Sequence, residues 1–235
     1  MKGVIIAAGY GSRLWDVTNN VPKTLLPYSN GTILSTIINR LNHAGITSIY
    51  LIVGYNQQYI RDYISSTFFD IPVQIIDNKL WERGNGLSVY QAKSVIMDEP
   101  FILSMSDHIV STSALQMIVN AAERINLLLT DPFIDDNFDL DDATKVLVKN
   151  DYVLEIGKDL AEYNALDCGI FRLETDFFTA VEKALEHGKE SISAAISELI
   201  LKDRIKTITL VEHNQWLDID TPEAYQYAIK QISLP

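Results

Sequence analysis

Apolar positions along this chain recur with two alternating periods. Val4-Ile5-Ile6-Ala7-Ala8 is an unbroken apolar run with the length and branching of a buried strand. Over 32–43 the period changes to that of a helix, with Ile33, Leu34, Ile37, Ile38 and Leu41 on one face and Gly45 placed to end it. Ser48–Val53 reads as a second buried strand and 73–76 as a third. Between them 57–68 reads as a helix, with Ile60, Tyr63, Ile64, Thr67 and Phe68 on its inner side. A short helix near Leu87, a strand at Phe101–Met105, a helix capped by Ser113 and a strand over 126–130 continue the series. The capped helix turns Leu115, Ile118, Val119 and Ala122 inward. Strands alternating with helices of about three turns predict βαβ units and a parallel sheet, an α/β fold.

The second half is more mixed. The segment 131–142 is acidic and turn-rich and reads as a surface excursion. Lys149-Asn150-Asp151 joins 145–148 to 153–156 as a hairpin, and Ala165–Leu173 is strand-like. Helices over 175–187 and 191–201 precede a strand over 205–211. Trp216-Leu217-Asp218-Ile219-Asp220 then meets Thr221-Pro222-Glu223, a helix start with a Thr cap, Pro in the first position and an acid in the first turn. Nothing repeats, and no linker interrupts the pattern, so 1–235 is expected to be one domain.

Composition narrows the class. Of the 235 residues 47% are apolar and 21% charged, as in ordinary soluble globular proteins. The longest apolar runs fall far short of the roughly 18 residues needed to span a bilayer, and the opening residues predict no signal peptide. One cysteine, Cys168, excludes an internal disulfide framework and points to a reducing, cytoplasmic setting. The 31 acidic residues outnumber 19 basic ones for a net charge of −12, which argues against a nucleic-acid surface. An anionic substrate must then be met by a local cluster of Arg and Lys, or by metal ions.

Such a cluster follows the first strand. Gly9 and Gly11 leave backbone N–H groups free to face a ligand. Arg13 adds a planar fork of donors for phosphate oxygens and Lys23 a mobile point charge, a cradle suited to a triphosphate. The dinucleotide fingerprint is excluded by Leu14 in place of a third glycine and by the absence of an acid in Leu25 to Gly31; no Walker pattern is present. Asp107 closes one strand, and Asp218 and Asp220 close another. Singly they read as turn aspartates; with the loop they are the minimum set for metal-assisted phosphoryl or nucleotidyl transfer. Asp218-Ile219-Asp220 also resembles the acid pair of metal-dependent glycosyltransferases, where it lies mid-chain and no arginine-bearing triphosphate loop is expected. Lys158 could meet an acceptor phosphate or be solvated. His108, one of four histidines with no ligand spacing, reads as structural, and Cys168 as an inert core thiol. Trp81, Tyr10 and Tyr55 could stack on a base but read as packing.

These residues carry a family resemblance. Ala7-Ala8-Gly9-Tyr10-Gly11-Ser12-Arg13-Leu14 with Pro22-Lys23 resembles the signature of the sugar-phosphate nucleotidyltransferases. The branch it looks most like is the inositol-1-phosphate cytidylyltransferases, through Glu82 to Ser88, Met105-Ser106-Asp107-His108, Asp142 to Val146, Ile156-Gly157-Lys158, Tyr163 to Phe171 and Trp216 to Glu223. The resemblance implies a Rossmann-like nucleotidyltransferase fold, three layers αβα around a mixed, mostly parallel sheet. It implies transfer of CMP from CTP to inositol 1-phosphate with Mg²⁺, and no nucleic-acid or membrane partner; homo-oligomerisation stays open. Ala8, Gly9, Gly11, Ser12 and Arg13 would hold the triphosphate, with Lys23 on its α-phosphate. Asn85, Gly86 and Ser88 would lie by base and ribose. Asp107 would bind Mg²⁺ with Asp218 or Asp220, the family pattern favouring Asp218. Lys145, Lys158, Asn164 and Asp167 would face the acceptor. Many members of that branch carry a second, membrane-spanning synthase domain, which is not expected here. Phosphocholine cytidylyltransferase and hexose-1-phosphate nucleotidyltransferase are sibling readings. A catalytically silent nucleotide-binding subunit is a reading from another class, against which the intact Arg13, Lys23, Asp107 and Asp218 speak.

Overall fold

The computed structural model describes residues 1–14, 21–134, 140–213 and 215–230. The first strand, β1 (Lys2–Ala7), leads through a 3-10 turn at Ser12–Leu14 and another at Lys23–Leu25 into a short ribbon of β2 (Pro27–Tyr28) and β3 (Gly31–Thr32). Helix α1 (Ile33–His43) follows, with Thr32 and Ser35 capping its amino end reciprocally, an arrangement worth about 1 kcal/mol. Then come β4 (Ser48–Val53), α2 (Gln57–Ser66), β5 (Val73–Asp77), α3 (Asn85–Tyr90) and the single turn α4 (Lys93–Ile96). Strands β6 (Phe101–Met105) and β7 (His108–Val110) precede α5 (Thr112–Val119) and β8 (Asn126–Asp131). The hairpin β9 (Lys145–Lys149) and β10 (Tyr152–Gly157) leads to β11 (Ala165–Leu173). Helices α6 (Asp176–Glu186) and α7 (Ile192–Ile200), β12 (Ile205–Thr209), β13 (Trp216–Asp218) and α8 (Pro222–Lys230) complete the described chain.

Among the described residues, nine strands form one sheet in the order β5–β4–β1–β6–β11–β8–β12–β10–β9. The β5–β4–β1–β6 half is parallel; β11 runs antiparallel to both of its neighbours, β6 and β8. The alternation of β1 divides the core: Ile5 and Ala7 pack with α1, α2, α5 and α8, and Val4 and Ile6 with α3, α4, α6 and α7. Three layers result, as expected from the sequence. No helix among the described residues is long and apolar enough to cross a membrane.

Four details differ from the sequence reading. The cap of α5 is Ser111, whose hydroxyl accepts from the Ala114 N–H, while Ser113 lies inside the first turn and Ala122 beyond the helix end. Helix α2 stops two residues early because Thr67 turns extended, and Phe68 is left 86% exposed. Strand β12 ends at Thr209, and Val211 lies in the open. The expected excursion over 131–142 begins inside β8, and its 135–139 portion lies outside the described residues.

Strands β4, β1 and β6 are parallel, so their carboxyl ends share one edge of the sheet. The chain leaves β1 for β4 and β5 on one side and returns as β6 on the other. The loops after β1 and β6 therefore diverge around a crevice, the place where open α/β sheets bind ligands.

Candidate active site

The loop after β1 is built for close approach. A Cβ on Gly9 would meet nothing within 4 Å, and Gly11 stands at φ +62°. The neighbouring loops are stitched to it: the Tyr55 N–H donates to Ala8 O at 3.2 Å, and Trp81 packs so tightly on Gly54 that a Cβ there would lie 2.3 Å from its own. Trp81, Tyr55 and Tyr10 form a ring cluster beside the loop, with Tyr10 and Trp81 nearly parallel and their centroids 6.4 Å apart.

A second strand pair brings in the acids. β7 and β13 form an antiparallel ribbon that sets His108 opposite Asp218, and the Ile219 N–H donates to Asp107 O at 3.0 Å. Asp107 and Asp218, 111 positions apart in sequence by their numbers, thereby face each other.

Two cavities open from this point. One is lined by Ala8, Gly9, Gly11, Lys23, Ser88 and Trp81; the other by Arg13, Asp142, Lys158, Asp167, Asp218 and Asp220. Asn85, Met105 and Asp107 belong to both walls. Ala8, Gly9, Gly11, Lys23 and Ser88, expected on the nucleotide side, line the first cavity; Lys158 and Asp167, expected toward the acceptor, line the second, and so does Arg13, expected on the triphosphate.

Three further expected residues are placed otherwise. Asn164 turns its amide to β9, donating to Val148 O and accepting from Val148 N–H, and does not line the acceptor-side cavity. Lys145 lies behind Lys158, donating to its carbonyl at 2.7 Å, with its ammonium over the Tyr163 ring. Gly86 is packed beneath the site: its N–H donates to Glu190 O, and a Cβ would lie 2.7 Å from that atom. The side chain of Ser12 lies outside the described residues.

Cations and carboxylates interlock at the junction. Lys23 Nζ sits 2.5 Å from Asp107 Oδ2 and pairs with Asp220 as well. Arg13 pairs with Asp220 and, at 2.5 Å, with Asp142, which also holds Lys158 at 2.5 Å. Burial works against the Lys23 charge, but Asp107, Asp220 and Asp218 overcome it and hold its pKa well above the ordinary lysine value. Burial likewise opposes the Asp107 charge, and Lys23 reverses that, bringing the carboxyl below its ordinary range. Asp218 goes the other way, raised by burial and by the charges of Asp107 and Asp220. Asp142 opens one of the stretches that carry the resemblance but is not among the expected site residues; an acid in a turn-rich acidic stretch carries no local sign that it turns inward.

The donor set fits a hard divalent cation. Asp107 Oδ1 and Asp218 Oδ1 are buried carboxylate oxygens without a hydrogen-bond partner, and Asp107, His108 and Asp218 offer atoms within 4.8 Å of one another. Both oxygens of Asp220, by contrast, are engaged by Arg13 and Lys23. His108, expected to be structural, stands inside this cluster, its Nε2 3.7 Å from Asp107 and 3.6 Å from Asp218. Burial disfavours charge on its ring, but Asp218, Asp107 and Asp167 outweigh it and raise its pKa above the ordinary histidine value. Its Nδ1 accepts from the Trp216 indole N–H across 3.0 Å, so in the neutral ring the proton is on Nε2.

Asp167 sits beneath the acceptor-side cavity in a bulge of β11, accepting from the Gly169 N–H at 2.7 Å. Burial pushes its carboxyl up to about 6, against the pull of that N–H and of His108. A raised acid binds its proton more readily folded than unfolded, so it costs stability as pH climbs from about 4 through 6. Asp167→Asn should therefore gain on the unsubstituted protein over that window, by about 3 kcal/mol at neutral pH. Urea unfolding at pH 4, 5, 6 and 7 measures this; a difference that stays flat with pH contradicts it. The Cys168 thiol beside it is fully buried and pushed up, as expected of an inert core cysteine.

Comparison with known proteins places these features. A family model described as Nucleotidyl transferase matches residues 2–132, more than half of the chain. The bifunctional IPC transferase and DIPP synthase of Aquifex aeolicus (strain VF5) is 32% identical over 234 residues, 97% of this chain and 51% of that protein. The CTP:phosphoglutamine cytidylyltransferase of Campylobacter jejuni is 26% identical over 194 residues, covering 77% of this chain and 76% of the relative. Among solved structures, the inositol-1-phosphate CTP transferase from T. maritima superposes with a TM-score of 0.85 at 22% identity, over 98% of this chain and 95% of that one, which establishes the shared fold. The chain spans about half the length of the bifunctional relatives it matches.

Proposed function

This chain belongs to the nucleotidyl transferase family, and we propose that it transfers CMP from CTP to inositol 1-phosphate, giving CDP-inositol and pyrophosphate. The observation that carries the reading is the shared wall: a glycine-loop cavity and a lysine-bearing cavity meet at Asp107. We read 1–235 as a single transferase domain acting in the cytoplasm. The choice of base and acceptor rests on the names of the relatives, both of the bifunctional proteins and of the T. maritima structure.

The chemistry follows from the groups present. The acceptor's phosphate oxygen attacks the α-phosphorus in line as the bond to the β-phosphate oxygen breaks and pyrophosphate leaves. That oxygen is already anionic, so no general base is needed. The protein's work is positioning, for which effective molarities are worth on the order of 7–11 kcal/mol, and neutralising charge. Arg13 and Lys23 now lie on carboxylates; a triphosphate in the loop would exchange those partners for its own oxygens. Lys158, paired with Asp142 at 2.5 Å on the wall of the acceptor-side cavity, is the cation we assign to the acceptor phosphate. Asp107 and Asp218 are the residues that would hold Mg²⁺, which when bound supplies charge neutralisation to the phosphate oxygens.

A second reading is favoured by one fact: the phosphoglutamine cytidylyltransferase matches over most of its own length, unlike the bifunctional proteins. CTP would remain the donor and the acceptor would be another small phosphate ester. Pyrophosphate release should be measured with each of the four NTPs, Mg²⁺, and inositol 1-phosphate, phosphocholine or glucose 1-phosphate. Release with CTP and inositol 1-phosphate alone is expected. Turnover of UTP or dTTP with the hexose phosphate would overturn the reading.

A further inference from the structure

We propose that Trp216 keeps His108 out of the metal's coordination sphere and thereby reserves the site for oxygen-preferring cations. The inference rests on the reading of Asp107 and Asp218 as cation ligands, and carries it from which residues bind to which ions are refused. The imidazole stands where a ligand would stand, within 4.8 Å of both carboxylates. An imidazole nitrogen in that place suits zinc, copper, nickel or cobalt, while carboxylate and water suit magnesium and manganese. An aspartate pair with an available histidine would therefore select against magnesium.

One hydrogen bond prevents this. The indole N–H of Trp216 has no acceptor capacity and can only donate. Its target is His108 Nδ1, 3.0 Å away, so in the neutral ring, the form able to ligate a metal, the Nδ1 lone pair is occupied and the proton is on Nε2. Nε2 is the nitrogen that faces Asp107 and Asp218. It presents a hydrogen rather than a lone pair, and it could bind a metal only by surrendering that proton and becoming an imidazolate.

Two features make the arrangement. The β7–β13 register sets His108 across from Asp218 and Trp216 diagonally two positions away, within reach of large side chains. Gly169, at φ +69°, leaves the room that the imidazole takes: a Cβ there would fall 2.5 Å from Nδ1.

The test is Trp216→Phe, which keeps a ring in place and removes the donor. In ¹⁵N-histidine-labelled, metal-free protein, long-range ¹H–¹⁵N spectra should show His108 protonated at Nε2, and Trp216→Phe should move population to the Nδ1–H form. In competition titrations the variant's preference for Zn²⁺ or Co²⁺ over Mg²⁺ should rise about tenfold or more. The Co²⁺ complex should gain the absorption of a nitrogen-ligated ion. The double variant Trp216→Phe/His108→Ala should lose that gain, which separates ligation by His108 from a general loosening of the fold. Nδ1 protonation in the unsubstituted protein, or an unchanged metal preference in Trp216→Phe, would overturn the proposal while leaving the aspartate site standing. If neither protein binds Mg²⁺, Mn²⁺ or Co²⁺, the aspartate reading itself falls and takes the inference with it.

Discussion

Lys23→Met is expected to turn over about 10³-fold more slowly, a loss of about 4 kcal/mol of transition-state stabilisation, while binding a divalent cation more tightly than the unsubstituted protein. The two effects have one origin. Lys23 is mostly buried and lies against Asp107, Asp220 and Asp218 at the junction of the two cavities. With substrate it is the charge nearest the expected place of the α-phosphate; without substrate it occupies the carboxylates that a cation would use. Removing it takes a positive charge from the transition state and a competitor from Asp107. It also leaves acids clustered without their partner, the situation in which breaking a buried pair costs about 3–5 kcal/mol. Lys23→Met should therefore melt lower than the unsubstituted protein in chelator and recover more of its melting temperature when Mn²⁺ or Mg²⁺ is added. Pyrophosphate release, Mn²⁺ titration and thermal melts with and without chelator measure the three parts. Undiminished turnover, or weaker cation binding than in the unsubstituted protein, would remove Lys23 from the role given to it.

The parts of this site legible in the sequence were those whose signals are local. The run 4–8 and the glycines after it mark a strand entering a phosphate-binding turn within a dozen residues, and Phe101 to Asp107 shows a buried strand ending on an acid. What joins them is not local. The β7–β13 ribbon consists of two three-residue strands far apart in the chain, too short to announce themselves by alternation, yet it sets His108 opposite Asp218. Hence His108 read as structural, and the choice between Asp218 and Asp220 stayed open. Asn164 shows the converse. It adjoins a strand whose other residues reach the cavity, but an amide can satisfy one backbone N–H and one C=O at once, and Val148 presents both. Gly86 was expected beside the ligand; it is a glycine because Glu190 passes too close for a Cβ. In each case the deciding contact comes from a segment about a hundred positions away or from the next strand over, which no window along the chain contains.

The pair Asp218→Asn and Asp220→Asn should divide the two acids sharply. Asp218 is buried beside Asp107 and Asp220, its Oδ1 has no hydrogen-bond partner, and its carboxyl is raised above the ordinary range. Such a group costs the metal-free protein stability at neutral pH, and the cost fades as pH falls toward about 4, where folded and unfolded forms both hold the proton. Asparagine has nearly the same shape and no charge, so Asp218→Asn should melt a few degrees higher than the unsubstituted protein in chelator at pH 7. In return it should lose about 10³-fold in turnover and most of the thermal shift that Mn²⁺ or Mg²⁺ produces, because a hard cation's carboxylate ligand is gone. Asp220 is the opposite case. Its two oxygens are held by Lys23 and Arg13, so Asp220→Asn breaks ion pairs without vacating a ligand position. That variant should melt lower, keep its cation-dependent thermal shift, and lose turnover about tenfold through the looser Arg13 and Lys23. A stability gain joined to a loss of function is what a site built around an uncompensated charge requires, since the strain is relieved only when substrate and cation arrive. Melts in chelator and in Mn²⁺, together with pyrophosphate release, decide it. If Asp218→Asn keeps the cation shift while Asp220→Asn abolishes it, the ligand assignment is reversed and the orphaned oxygen of Asp218 must answer to another partner.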